Sequence, residues 1–302
     1  MAIATAGPVA ERASWPRRVS AYLHRHRGVK LALLLAAPLG WMLVIYLASL
    51  AILLTSAFWS VDPFTRRTVH QLTLDNFHTL FTDPVYRIVA LRTFGMAVSV
   101  TAADIALAFP IAYYAARIAT PRGRAALLVA VTIPLWASYL VRAFAWKLIA
   151  TPNGFLDWVV RGLHLGHLQL GSSNWTVWLT FVYLWLPFVI LPIYSVIERI
   201  PASYLEASSD LGARGWLTFR RVVWPLALPG VVAGSIFSFS LTLGDYVAPT
   251  LVGNTQFIGN IIEQNVGVTQ NIPFAAAYAM APIVIIGIYL VAARRVGAFE
   301  AL

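Results

Sequence analysis

From Leu31 to about Phe58 the chain runs without a single Asp, Glu, Lys or Arg. A run of that length exceeds the ~20 apolar residues with which a helix crosses ~30 Å of hydrocarbon. Lipid offers no partner for backbone N–H and C=O groups, so the segment must fold as a helix that satisfies them internally. Comparable runs lie near Val89–Ala116, Ala125–Ala150, Trp175–Ile197, Leu226–Leu251 and Phe274–Ala293. The expected fold is all-α: a polytopic membrane protein of about six transmembrane helices. Composition agrees, because 59% hydrophobic against 11% charged in 302 residues is more apolar surface than one soluble core can hide. A water-soluble enzyme is excluded. The absence of cysteine excludes disulfides, thiolate metal sites and cysteine nucleophiles.

The net charge of +10 is mainly a topology signal. With the N-terminus in the cytoplasm, the inner segments hold Arg12, Arg17, Arg18, Arg25, Arg27, Lys30, Arg117, Arg122, Arg124, Arg199, Arg214, Arg220, Arg221, Arg294 and Arg295, which is fifteen of the 22 Lys and Arg residues. The other seven are scattered over outer loops and span ends. That asymmetry places both termini inside and argues against nucleic acid as a partner. Residues 1–30 read as a basic interfacial segment, with Trp15, Tyr22 and Leu23 among six basic residues between Arg12 and Lys30, and residues 31–302 as the transmembrane domain. The following apolar run is about twice the usual signal-peptide core, so the segment is expected to stay attached. Pro38, Pro110, Pro134, Pro187, Pro192, Pro229 and Pro282 interrupt the spans, and such breaks shape cavities inside a bundle.

Catalytic chemistry is missing. The two lysines, Lys30 and Lys147, stand in no G-x-x-x-x-G-K-[ST] loop, so the sequence offers no cradle for nucleotide phosphates. No H-E-x-x-H or G-x-S-x-G motif occurs. His164 and His167 have helical spacing, but Asp157 is the only nearby carboxylate, so a solvated polar loop is expected there and no metal site.

The strongest signal lies between the fourth and fifth spans, at about residues 198–225. Pro201, Ala202 and Ser203 open a short helix that Gly212 can close in the left-handed conformation. A second helix follows, with Trp216, Phe219, Val222 and Val223 on one face, before Pro225 and Pro229 lead into the next span. The product is a compact, aromatic-bearing knob on the cytoplasmic side, suited to a helix-in-groove contact.

Tyr204-Leu205-Glu206-Ala207-Ser208-Ser209-Asp210-Leu211-Gly212 resembles the E-A-A-x-x-x-G loop of the inner-membrane permease subunits of binding-protein-dependent ABC importers, with Ser208 where a third small residue is usual. The resemblance implies the type I importer permease fold and a coupling helix that docks on an ATPase through Glu206, Ala207 and Gly212; Asp210, Ala213 and Phe219 complete the candidate docking set. It further implies two ABC ATPase subunits that bind ATP and Mg, no cofactor in this chain, a second and related permease chain, an extracytoplasmic solute-binding protein and a bacterial inner-membrane location. Ser138 to Trp146, Asn153-Gly154 and Leu243 to Gly253 are similar to the spermidine/putrescine-type permeases. That branch also serves opines, amino-acid derivatives and phosphonates, so polyamine is the first expectation for cargo and those are the alternatives.

Charges inside spans are costly and therefore candidate functional residues. They are Asp104, Arg142 and Asp245. Asp245 beside Tyr246 suits an ammonium ligand, and pairing with Arg142 as a fixed bridge is the competing reading. Asp104 either faces a subunit interface or bonds to Ser99 or Thr101 on its own helix. Trp136, Tyr139, Trp146, Trp185 and Tyr246 either line a pathway or anchor span ends, and Lys147 is expected to snorkel. Trp146 joins Asp245, Tyr246, Arg142 and Asp104 in the candidate pathway set. An ion-coupled carrier would explain the buried carboxylates but not the helix-glycine-helix knob. A membrane enzyme or scaffold would explain neither.

Overall fold

The computed structural model describes residues 27–62, 64–164 and 170–295. Most of the basic N-terminal segment and His167 therefore lie outside the described residues. The chain divides into two units at Thr55 and Ser56. The first contributes one described helix, α1 (Arg27–Ser56), which contains the long uncharged run.

The second unit opens with a hairpin of β1 (Ser60–Val61) and β2 (Thr68–Val69), Ser60 facing Val69. The Asp62 carboxylate accepts the backbone N–H groups of Thr65 at 2.7 Å and Phe64 at 2.8 Å, which holds its carboxyl below the usual range. After α2 (Asp75–Thr82) comes α3 (Pro84–Tyr113). Asp83 caps α3 by accepting the Val85 N–H, and Pro84 fills a first-turn position where no donor is needed. Its last residues continue through a π turn, Tyr114–Ile118. Then follow α4 (Pro121–Trp136), α5 (Tyr139–Ala150), α6 (Phe155–Gly162), α7 (Asn174–Arg199), α8 (Ala202–Asp210) and α9 (Gly215–Thr218). A second π turn, Phe219–Val223, joins α9 to α10 (Trp224–Gly244), and α11 (Val247–Val252), α12 (Ile258–Gly267) and α13 (Ile272–Arg295) complete the chain.

Helices α3, α7 and α10 form the central core. Phe109 and Ala112 of α3 meet Ile190, Ile193 and Ile197 of α7 and Ala227 and Val231 of α10. Lipid tails are as apolar as these side chains, so close van der Waals packing has to hold the helices together. Two glycines one turn apart allow it. A Cβ on Gly234 would stand 2.9 Å from Val189 Cα, and one on Gly230 would stand 2.8 Å from the Pro192 carbonyl oxygen. Toward the other end of α7, Phe181, Leu184 and Trp185 pack with Val100 of α3 and with Ala248 and Val252 of α11.

Among the described residues, five helices are long and apolar enough to cross a membrane, and α4 with α5 makes a sixth span only as a pair bent by 97°. The run Ala125–Ala150, expected to be interrupted at Pro134, is thus a bent pair of helices. Pro134 sits in the last turn of α4, and Ala137 and Ser138 are extended, with ψ of 143° and 141°. The expected run Leu226–Leu251 is also cut. Helix α10 stops at Gly244, and the Asp245 carboxylate accepts the Ala248 N–H at 3.0 Å in the first turn of α11. By contrast, no break precedes Pro225. The wide π turn, in which the Trp224 N–H reaches Phe219 O, moves the preceding carbonyls off the proline ring and lets Gly215–Gly244 run as one span.

Candidate functional site

The knob between α7 and α10 has the geometry its glycine predicts. Gly212 has φ of +76°. Its N–H donates to Ser209 O at 2.8 Å, and the Ala213 N–H donates to Ser208 O at 3.0 Å, the paired bonds that end a helix on a left-handed residue. Glu206, Ala207, Asp210 and Gly212 are exposed, and Ala213 is half-buried. Leu211 is 87% exposed and Trp216 72%, far more than apolar side chains of a self-contained connector would show. A groove of about 400 Å³ is lined by Tyr204, Ala207, Leu211, Leu217, Arg221 and Val222.

Ser208, where the resembling motif has a small apolar residue, is buried, and its hydroxyl meets Thr218 Oγ1 at 2.9 Å. That bond pins α8 to α9 across the Gly212 turn. Phe219 departs from expectation. Its ring stacks under Trp216 at 5.3 Å and meets Phe109 edge-on at 5.4 Å, so it supports the knob from within and is not part of its exposed surface. The root of the knob is tied down by two residues first read only as topology charges. Arg117, in the π turn after α3, donates to Ile197 O at 2.6 Å and also to Ile200 O, the last carbonyls before α8. Arg124 of α4 pairs with Glu198 of α7 at 2.8 Å.

The second candidate region is the break after α10. Asp245 accepts the Tyr139 hydroxyl of α5 and, on its other oxygen, the Ala248 N–H. No ion pair joins it to Arg142 among the described residues, so the competing reading of a fixed Asp245–Arg142 bridge finds no contact here. A bridge from α5 exists, but a phenol one turn earlier makes it. Arg142 Nε and Nη1 are buried without a hydrogen-bond partner among the described residues. Tyr139 also stacks on the buried Trp185, which is thereby a core residue and no interface anchor. Trp146 packs on Tyr183 of α7 at 5.7 Å. Lys147 lies over the Phe144 ring at 5.7 Å.

Asp104 is fully buried between α3 and α10. Ser238 donates to its Oδ2 at 2.6 Å, so its partner lies on a neighbouring helix and not at Ser99 or Thr101. Ser99 donates to Met96 O within its own helix. Asp157 pairs with Arg161 one turn away, which engages the carboxylate nearest His164. Two further signals lie in the sequence: the Gly230-x-x-x-Gly234 spacing that brings α10 against α7, and Glu263 in the short helix α12.

The family described as binding-protein-dependent transport system inner membrane component matches residues 108–298. The inner membrane ABC transporter permease protein YdcU of Escherichia coli K12 is 44% identical over 299 residues, covering 94% of this chain and 95% of the relative. The spermidine/putrescine transport system permease protein PotB of the same organism is 31% identical over 258 residues, covering 83% and 92%. A chain of the bacterial alginate ABC transporter, solved in complex with an alginate pentasaccharide-bound periplasmic protein, superposes with a TM-score of 0.70 at 17% identity, covering 91% of this chain and 96% of that one. It shares the fold.

Proposed function

The chain belongs to the family of binding-protein-dependent transport system inner membrane components and is an ABC importer permease subunit, and on that premise we propose that it imports a polyamine. We propose further that it takes its power stroke through the knob at residues 202–218. The observation that carries the second part is the exposure of Leu211 and Trp216 on a closed helix-glycine-helix turn, together with a groove, lined in part by Leu211, that nothing in the described chain fills. A separate ATPase subunit would occupy it, with Glu206, Ala207, Asp210, Gly212 and Ala213 at the contact and Phe219 behind it. The full importer then holds two such ATPases, a second related permease chain and a solute-binding protein on the far side, with both termini of this chain in the cytoplasm. For the cargo, the likeness to PotB supports spermidine or putrescine.

In this reading the chain does no covalent chemistry. ATP closes the paired ATPases, the docked knobs move together, and the kinked helices rock so that the pathway opens to the binding protein.

The absence of native cysteine makes the docking test direct, because Leu211→Cys supplies the only thiol. A membrane-impermeant maleimide should label it in inside-out vesicles and not in intact spheroplasts. A thiol-to-amine cross-linker should join it to the ATPase in the assembled complex. Labelling from the outer face, or no ATPase adduct, would remove the assignment.

A further inference from the structure

We propose that α12 and the break after α10 build a subsite for a protonated alkylamine, with Glu263 as counter-charge and the Tyr246 ring as cation–π platform. The inference rests on the amine-import reading above and adds the residues that touch the cargo. A solute that passes between two permease chains can touch only residues exposed on each of them. Asp104 is fully buried and bonded to Ser238, and both Asp245 oxygens are already taken. Tyr246 and Glu263, by contrast, are exposed and line one cavity of about 330 Å³ with Gly244, Gly259, Ile262 and Val266. That is the lower end of the volume range of small-molecule sites, ~300–1,000 Å³.

The arrangement is built. Gly259, Ile262, Glu263 and Val266 fall on one face of α12, at i, i+3, i+4 and i+7. Gly259 brings that face against the break, since a Cβ there would stand 2.7 Å from the Asp245 carbonyl oxygen. Asn260 then locks Tyr246 by donating from Nδ2 to its carbonyl oxygen at 3.0 Å, while Asn260 Oδ1 accepts the Phe257 N–H at 3.0 Å. Glu263 has no hydrogen-bond or ion-pair partner among the described residues. The Ile258 N–H donates to Thr93 Oγ1 of α3, and Ile261 packs with Val89. Those contacts run α12 from Thr93 back toward the Pro84 end of α3, so Glu263, two residues beyond Ile261, lies toward that end. There its exposed, unpaired carboxylate is open to a cation. An alkylammonium answers both halves of the cavity, the charge by pairing with Glu263 and the methylene shoulder by lying on the Tyr246 ring.

The test uses the complete importer in vesicles, loaded with ATP and supplied with binding protein and radiolabelled putrescine. Glu263→Gln should lower the putrescine carried per ATP hydrolysed roughly tenfold, the worth of one charge-assisted contact. Glu263→Asp should restore most of it, and Tyr246→Ala should lose more than Tyr246→Phe. Equal transport by Glu263→Gln and the wild type would overturn the subsite while leaving the amine reading in place. Equal losses with Gln and Asp would mark Glu263 as structural and overturn it too. A wild-type complex that carries no putrescine at all would sink the amine reading itself.

Discussion

Gly212 separates a docking knob from a mere connector more cleanly than any other position. Its φ of +76° is costly for an L-residue, yet an added Cβ would meet no atom within 4 Å. The penalty in the free chain is therefore backbone strain alone, ~1–2 kcal/mol for a residue with a side chain and less for Asn. A cost of that size shifts closure of the last turn of α8 by a factor of about 5–30. Because the space around the position is open, Ala and Trp should cost the same in the isolated protein, and detergent-solubilised Gly212→Ala and Gly212→Trp should unfold at matching temperatures. In the assembled importer they should part. Gly212→Asn should keep nearly normal uptake and Gly212→Ala a severalfold reduced rate. Gly212→Trp should lose uptake and ATPase stimulation altogether, because the indole must occupy space held by the partner. The assay is ATP-dependent uptake into proteoliposomes beside ATP hydrolysis with and without loaded binding protein. If Gly212→Trp transports as well as Gly212→Ala, no partner surface lies against Gly212 and the docking assignment fails.

Gly234→Ala should overpack the α10–α7 contact by ~1–3 kcal/mol and lower the unfolding temperature, while Gly95→Ala, which meets nothing within 4 Å, should be neutral or stabilising. Tyr139→Phe leaves one oxygen of Asp245 without its donor and should cost about 1–3 kcal/mol, read by thermal unfolding. Its effect should be non-additive with Asp245→Asn, whereas Arg142→Gln and Asp245→Asn should combine additively because no ion pair joins the two residues. Arg117→Met frees the Ile197 and Ile200 carbonyls and should reduce uptake while the Leu211→Cys adduct with the ATPase still forms.

The spans, the closing glycine and the exposed aromatic knob were legible because each is a local signal. Apolar length marks a span, and a glycine after a short helix marks a left-handed cap. What was not legible depended on partners brought together by folding. Nothing local distinguishes Pro134, one turn before a 97° bend, from Pro187 and Pro192, which lie within the continuous helix α7. Charge alone offers Asp245 a bridge to Arg142 as readily as a pathway role, yet the fold places the Tyr139 phenol against it, one turn before Arg142 on the same helix. Phe219 was set on the outer face by spacing, but the π turn and Phe109 draw it inward. Glu263 is not marked by the span pattern because α12 is ten residues long, too short to cross a membrane, although its apolar spacing of Ile258, Ile261, Ile262 and Val266 is helical.

The same features explain how force applied at one end of such a chain reaches the other. Gly215–Gly244 is a single helical span of 30 residues, about 45 Å of rod, with Trp216 in the knob at one end and the Asp245 break at the other. The π turn carries the helix past Pro225, and Pro229 lies within α10, so the span is helically continuous from the knob to the break. Gly230 and Gly234 bring the rod onto the backbone of α7, so sliding would drive Val189 and Pro192 into it, and tilting is the softer motion. Arg117 and Arg124 hold the start of the knob to α3 and α4, so all the core helices meet at the same root. In the proposed cycle a displacement of the knob therefore becomes a tilt of α10. It is delivered where α10 ends, at the Tyr139–Asp245 bond and the wall of the Tyr246–Glu263 cavity. In that cycle the charged and aromatic residues of the break stand at the end of α10 farthest from the knob.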